Sequence, residues 1–299
     1  MQKSKLNILI SFGILRESDY EYHTTLPKKH LRFMLDSGAF QAFTSGKKIN
    51  IDDYCNFIKS LSKSIDIIPV QLDVIGKPQI TYKNYLYMIE KHKLTKTLPV
   101  YQRGGNIKIL KDLRKLTDYI LIGGLATLGD MKNSRKFINY IYKNIPKTKL
   151  HWLGFVDPKF VAQYKPFSVD SSNTSMFVRF GRLLLFKDGY VHTFNPMNQI
   201  RQHGKFTKKD LFFLKQCNVD TDKINALFKD TNANARGWHC YWNYLHILNI
   251  LKLSEYNERK YKTLYYHASV GKEYTDLIYQ VYKKCYLEEK TINQALAEK

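Results

Sequence analysis

The feature that most constrains this chain is a repeated grammar. A short run of β-forming residues ends in polar or glycine-rich residues, and a stretch of helical period follows. The β-forming runs are Leu6–Phe12, Leu31–Asp36, Ile67–Asp73, Thr97–Tyr101, Tyr119–Ile122, Lys149–Leu153 and Phe167–Asp170. Helical patterns lie between most of them, at Asp52–Leu61, Tyr82–Lys91, Ile107–Leu116 and Ser134–Asn144, with Asp52 as the expected N-cap of the first. This alternation predicts parallel β/α units. Asp36 and Asp73 lie 37 residues apart, Asp73 and Gln102 lie 29 apart, and Gln102 and Gly123 lie 21 apart. An eight-unit barrel averages about 30 residues per unit, so the spacing predicts an α/β fold of the TIM (β/α)8 type. An open doubly wound sheet is the alternative, but it would gather fewer of these strand ends at one crevice. Seven strands are evident, and Gly13–His30 is too polar to supply an eighth.

The pattern changes after Asp170. Arg182–Phe186 and Tyr190–Phe194 flank Lys187-Asp188-Gly189, an Asp-Gly hairpin signal. Beyond about residue 200, helical patterns rich in Tyr, Trp, Leu and Ile dominate, notably Trp238–Leu253 and Tyr274–Tyr286. The expected organisation is therefore a barrel over 1–204 carrying a β-hairpin insertion, and a helical C-terminal region over 205–299 packed on it. Aromatic stripes at helical spacing read as core rather than as base-stacking platforms.

Five polar or glycine-rich motifs fall where a strand finishes: Asp36-Ser37-Gly38-Ala39-Phe40-Gln41, Gln71-Leu72-Asp73, Gln102-Arg103-Gly104-Gly105, Ile122-Gly123-Gly124-Leu125-Ala126 and Val169-Asp170-Ser171. In a β/α barrel the C-terminal strand ends form the catalytic face. A lone Asp at such a place more often caps a turn or helix. Two of them, Asp36 and Asp170, on one rim are a natural pair for acid/base and nucleophilic work.

As an ordered set over roughly residues 6–200, these motifs resemble the guanine transglycosylases, which exchange a guanine in nucleic acid for a 7-deazaguanine. In the queuine and archaeosine tRNA-guanine transglycosylases a D-S-G-G-F/Y-Q segment bears the acid/base Asp, and this chain departs from it only at Ala39. The resemblance implies that Asp36 is the acid/base and Asp170 the nucleophile at C1′, giving a covalent glycosyl-aspartate. It implies that Asp73 reads guanine N1–H and the exocyclic amine. Gln102 and the Gly123-Gly124 backbone, with Leu125 beside them, would serve O6 and the ring. Phe40 would offer a stacking face. Arg103, Arg179 and Arg182 are the arginines expected on the nucleic-acid backbone, pairing with a buried acid being the other reading of Arg103.

Two departures steer the substrate. The tRNA enzymes continue into a C-x-C-x-x-C zinc site with a distal His, whereas Cys55, Cys217, Cys240 and Cys285 show no such spacing, so no metal and no cofactor is expected beyond the 7-deazaguanine co-substrate. No added RNA-binding module is recognisable. The Leu-Asp-Ser-Gly-Ala-Phe form of the first motif is similar to the phage DNA deazapurine transglycosylases. That branch implies DNA as partner, a base of the preQ0 type, and protection of phage DNA from restriction. Exchange on tRNA, a catalytically inactive nucleic-acid-binding barrel, and a glycosylase that hydrolyses the intermediate are the alternatives.

Charge agrees with an anionic partner. The net charge is +22, from 48 basic and 26 acidic side chains, and it is not confined to a tail. AT-rich coding is the bland explanation for much of the lysine. The N-terminus carries only the short apolar run Ile8-Leu9-Ile10, without a cleavage pattern, and no segment is long and apolar enough to span a bilayer. The expectation is a cytoplasmic protein with reduced thiols and no membrane partner, in the host cytoplasm if phage-encoded.

Overall fold

The expected alternation of strands and helices is present. The computed structural model describes residues 4–14, 17–125, 131–172, 175–177, 182–194, 206–219 and 240–298. Its strands are β1 (Leu6–Ser11), β2 (Leu31–Asp36), β3 (Ile67–Pro69), β4 (Val100–Gln102), β5 (Tyr119–Gly123), β6 (Lys149–Trp152), β7 (Ser168–Ser171), β8 (Leu183–Lys187), β9 (Tyr190–Phe194) and β10 (Leu264–Ala268). The helices among and after the first seven strands are α1 (Glu17–Thr25), α2 (Ala39–Ser45), α3 (Ile51–Ser64), α4 (Pro78–Glu90), α5 (Ile107–Leu116), α6 (Met131–Asn144) and α7 (Pro158–Tyr164). The chain divides into two compact units, one of Lys5–Ser171 with Lys260–Gly271, the other of Met1–Ser4, Ser172–Arg259 and Lys272–Lys299.

In the first unit, eight strands form one sheet in the order β3-β2-β1-β10-β7-β6-β5-β4, with every pairing parallel. The eighth strand is β10, from a stretch whose sequence neighbours are helical. The first unit takes in β10 because the chain returns to the sheet for a single strand, and the division after Ser171 places the hairpin segment in the second unit. The polar segment before β2 forms α1 and a 3-10 turn at Lys28–His30, not a strand.

Side chains alternate across the strands, as the pleat requires. One face gathers Leu9, Met34, Val70, Leu98, Val100, Leu121 and Tyr266. The other sets Ile120, Ile122, Leu150, Trp152 and Val169 against Leu110 and Leu113 of α5, Ile138 and Ile141 of α6, and Phe160 and Val161 of α7. Each such aliphatic side chain, fully buried, contributes about 1.5–3 kcal/mol. Helix starts are set by short polar caps. Asn50, rather than Asp52, caps α3, accepting from the N–H groups of Asp52 and Asp53. Asn106 and Asp157 cap α5 and α7 in the same way.

The sheet curls but does not close as the full barrel that the spacing predicts. Edges β3 and β4 share no ladder; one parallel bridge, Val70 to Leu98, spans them. At that bridge Leu98 N–H donates to Pro69 O (2.8 Å) and Gln71 N–H to Leu98 O (3.0 Å). Beyond it a side chain replaces backbone: Gln71 Oε1 accepts from Val100 N–H (2.9 Å) and Nε2 donates to Thr81 O (2.7 Å). Pro69, whose carbonyl faces this seam, brings no N–H to it, which leaves one donor fewer for a continuous ladder.

In the second unit, β8 and β9 form the expected antiparallel hairpin. Asp188 (φ 50°) and Gly189 (φ 89°) are both left-handed, as a two-residue turn of type I′ demands. Helix α8 (Lys208–Gln216) is capped by Thr207 and Asp210. Helix α9 (Tyr241–Tyr261) carries the hairpin: Ile250 and Leu253 pack on Leu184 and Phe186. His246 Nδ1 and Asn249 Oδ1 accept from the N–H groups of Leu184 (3.0 Å) and Phe186 (2.9 Å), so the edge of β8 is satisfied by side chains. Helix α10 (Lys272–Gln280), a π-helical segment at Val281–Leu287 and α11 (Ile292–Ala297) complete the described elements.

Candidate active site

The first unit brings together the C-terminal ends of β2, β4, β5 and β7, and with them most of the residues singled out from sequence. Asp36 closes β2 in register with Ser11 of β1. Its Oδ2 accepts from Ser11 Oγ (3.1 Å) and Gly38 N–H (2.9 Å). The second contact needs the tight turn at Gly38 (φ 80°), where a Cβ would press on Ser11, Phe12 and Gly13 atoms at 3.3 Å. Ser37, fully buried, turns the other way and donates to Asp73 Oδ1 (3.3 Å). The first motif thus grips its own carboxylate and the next one.

Asp73 also receives Gln102 Nε2 on its other oxygen. Gln102 ends β4 directly in register with Gly123 of β5. A Cβ at Gly123 would lie 3.1 Å from Val100 Cγ1 and 3.3 Å from Gln102 Nε2, so the glycine leaves room for that amide. Gly124 follows with φ 85°. Asp170, 6% exposed, accepts from Gly154 N–H (2.8 Å) and stands 3.0 Å from His151 Nε2, both on Oδ1.

The three carboxylates sense one another. Burial, with the Asp36 charge added, pushes Asp73 up to about 7, against the opposing effect of its Gln102 and Ser37 donors. Asp36 is also raised, chiefly by desolvation and further by the Asp170 charge, while the Gly38 and Ser11 donors pull the other way. Asp36 lies on the inner face of the curled sheet, yet its residue remains partly accessible to solvent, unlike Asp73 and Asp170. Carboxyls of raised proton affinity stand beside a carboxylate held by two donors, an arrangement suited to acid/base work alongside nucleophilic attack.

Other expected residues lie elsewhere. Phe40 is on the first turn of α2 and 52% exposed, with Phe43 one turn on at 62%. Leu125 is buried among the helix-facing apolar residues with Ile122 and Leu150, so its side chain belongs to the core. Arg103 is exposed, with its backbone N–H on Gly123 O (3.3 Å). Arg182 belongs to the second unit, its guanidinium 6.0 Å from the centre of the Phe177 ring. Arg179 and Ala126 lie outside the described residues. Among the described residues no group of three or more His, Cys, Asp or Glu could hold a metal ion, and no disulfide joins the four cysteines. No described helix is long and apolar enough to cross a membrane.

Sequence reasoning missed His151, Ser168 and Tyr119. All three are on the inner side of the sheet, and Ser168 Oγ sits 2.6 Å from both His151 Nδ1 and Tyr119 Oη. The available signal was strand parity: His151 is two residues before Leu153, and Ser168 two before Asp170, on inward positions.

No family model and no curated protein matches this chain. Among solved structures, a DUF72 family protein from Enterococcus faecalis aligns over 93% of this chain and 94% of its own, with 8% identity and a TM-score of 0.41. That likeness is too slight to bear on function.

Proposed function

We propose that this chain is a base-exchanging guanine transglycosylase, a pentosyltransferase that replaces guanine in DNA with a 7-deazaguanine of the preQ0 type. The observation that carries the reading is the pair Asp36 and Asp170. Both project to the inner face of one curled sheet, within range of each other's charge, one raised toward the protonated form and the other clasped by two donors. We read that sheet as a (β/α)8 barrel whose seam is held by Val70, Leu98 and Gln71.

The chemistry follows from those roles. A guanosine flipped from the stack, at a cost of a few kcal/mol, enters the mouth. Asp170 attacks C1′ as the C1′–N9 bond breaks, and Asp36 gives its proton to the departing guanine. The 7-deazaguanine then yields its N9 proton to Asp36, and N9 attacks C1′ from the side opposite Asp170. The glycosyl–aspartate bond breaks and configuration is retained. Asp73, held between Ser37 and Gln102, faces the Watson–Crick edge of the base, and the Gly123 backbone lies beside it. The basic surface, +22 overall, tracks phosphate with steep salt dependence.

The test is mass spectrometry of nucleosides after incubation of duplex DNA or tRNA with labelled preQ0 and either the wild type or Asp170→Ala. Label entering DNA with the wild type and not with the variant is the expected result. Exchange that persists in Asp170→Ala removes the nucleophile. Label in tRNA alone replaces DNA with tRNA as substrate. No incorporation into either, with nucleic acid still bound, leaves an inactive binding barrel.

A further inference from the structure

The Oδ1 atom of Asp170 is held by two donors, Gly154 N–H at 2.8 Å and His151 Nε2 at 3.0 Å, while Oδ2 receives no hydrogen bond from the described residues. Behind His151 the contacts continue inward. Its Nδ1 lies 2.6 Å from Ser168 Oγ, its direct cross-strand partner on β7, and Ser168 Oγ lies 2.6 Å from Tyr119 Oη on β5. His151 and Ser168 are fully buried, and the Tyr266 ring meets His151 edge-on at 5.9 Å. From this we infer, resting on the transglycosylase reading, that Tyr119, Ser168 and His151 form a one-directional hydrogen-bond relay. The relay positions Asp170 so that Oδ2 is the atom that attacks C1′.

With a neutral ring, the direction follows from counting protons. An ionised carboxylate only accepts, so His151 Nε2 carries a hydrogen. A neutral ring then has a bare Nδ1, which must accept from the Ser168 hydroxyl. Ser168 Oγ in turn accepts from the Tyr119 hydroxyl. Every polar hydrogen in the chain is used once. A doubly protonated ring would donate from Nδ1 to Ser168 Oγ, and the Ser168 hydrogen, in a fully buried place, would then need an acceptor other than His151 and Tyr119. Burial of Tyr119 raises its phenol and keeps it a donor. Tyr119, Ser168, His151 and Asp170 come from three adjacent strands, so the sheet itself sets the geometry.

The consequence for the reaction is asymmetric. When Oδ2 bonds C1′, Oδ1 becomes an ester carbonyl. When that bond breaks, charge returns to the carboxylate and the donors on Oδ1 stabilise it, as donors do at an oxyanion. His151 is therefore a positioning residue whose effect falls mainly on release of the sugar from Asp170.

Two measurements on the full chain test this. The first is nitrogen NMR of 15N-histidine-labelled protein at neutral pH. The expected result is a neutral His151 ring protonated at Nε2, with that preference lost in Ser168→Ala; a ring protonated at Nδ1 overturns the assignment. The second is single-turnover kinetics of the denaturant-resistant protein–DNA adduct. His151→Phe is expected to slow adduct breakdown by about 10²-fold while formation changes far less, so that adduct accumulates. His151→Gln, which keeps a donor near the Nε2 position, should restore breakdown. Equal slowing of both half-reactions, or no rescue by Gln, means that His151 only supports the fold. A wild type that yields no adduct, with the Nε2 tautomer intact, counts against the transglycosylase reading and leaves the relay direction standing.

Discussion

Asp36 and Asp170 end strands that two others separate in the sheet, yet the charge on Asp170 reaches Asp36 and adds to burial in raising its proton affinity. Such coupling across four strands needs a curled sheet whose inner face gathers the strand ends. A flat sheet with strands about 4.8 Å apart would hold these two carboxylates roughly 14 Å apart and largely uncoupled in solvent.

Asp73 makes stability depend on pH. Its folded value, about 7, lies above the ordinary 3.8, so the folded state keeps a proton that the unfolded state has lost. Stability is fully present below about pH 4 and falls as pH rises to about 7, by at most ~4 kcal/mol for this group. Urea unfolding from pH 4 to 8 should show the wild type losing stability relative to Asp73→Asn over that window and running parallel above it. Parallel curves throughout would contradict the burial described here.

Gly123→Ala should act through Gln102. The added methyl meets Val100 Cγ1 at 3.1 Å and Gln102 Nε2 at 3.3 Å, and the amide is the part that can yield. Overpacking of this kind costs about 1–3 kcal/mol. The expected outcome is a modestly lowered Tm with a larger loss in base exchange, seen as a raised KM for the incoming base. An unchanged KM would detach Gln102 from base recognition.

Gln71→Leu should open the seam between β3 and β4. Val100 N–H and Thr81 O each lose their Gln71 partner. Leaving buried polar groups unpaired costs about 1–3 kcal/mol each. Hydrogen exchange should speed up most at Val100 and Leu98. Uniform acceleration across the sheet would show global destabilisation without a local seam.

Phe40→Ala separates stacking from structure. The ring is 52% exposed, so unfolding stability should change by less than about 0.5 kcal/mol. If Phe40 stacks on the target or entering base, exchange should drop by about 10-fold, corresponding to 1–3 kcal/mol of stacking. Unchanged exchange would exclude that contact.

Much was legible in the chain itself. β-forming runs placed Asp36, Gln102, Gly123 and Asp170 at strand ends, because a strand that enters a rim changes from apolar to polar within two residues, whereas β3 stops at Pro69 and leaves Asp73 on the loop beyond it. The Asp188-Gly189 pair identified the hairpin, because few other residues tolerate two successive left-handed positions. The eighth strand was hidden. Leu264–Ala268, with Tyr265, Tyr266 and His267, lies between α9 and α10, and its bulky polar aromatics resemble the helices around it. What makes it a strand is the slot between β1 and β7, which no local pattern reveals. The burial of Leu125 was hidden for a related reason: a glycine-rich motif marks where the chain turns, not which way the next side chain points.

The order of residues alone determined the β/α grammar, the rim position of Asp36 and Asp170 and the excess of positive charge, since these depend on neighbours within a few residues. Tertiary structure alone decided that Gln71 stitches an incomplete ring, that Ser37 reaches Asp73, and that Tyr119, Ser168 and His151 stand behind Asp170. Those contacts join residues 10–49 positions apart. Only the curl of the sheet brings such distant residues within hydrogen-bond distance, so the pairing energy depends on a geometry that the chain acquires once the strands have assembled.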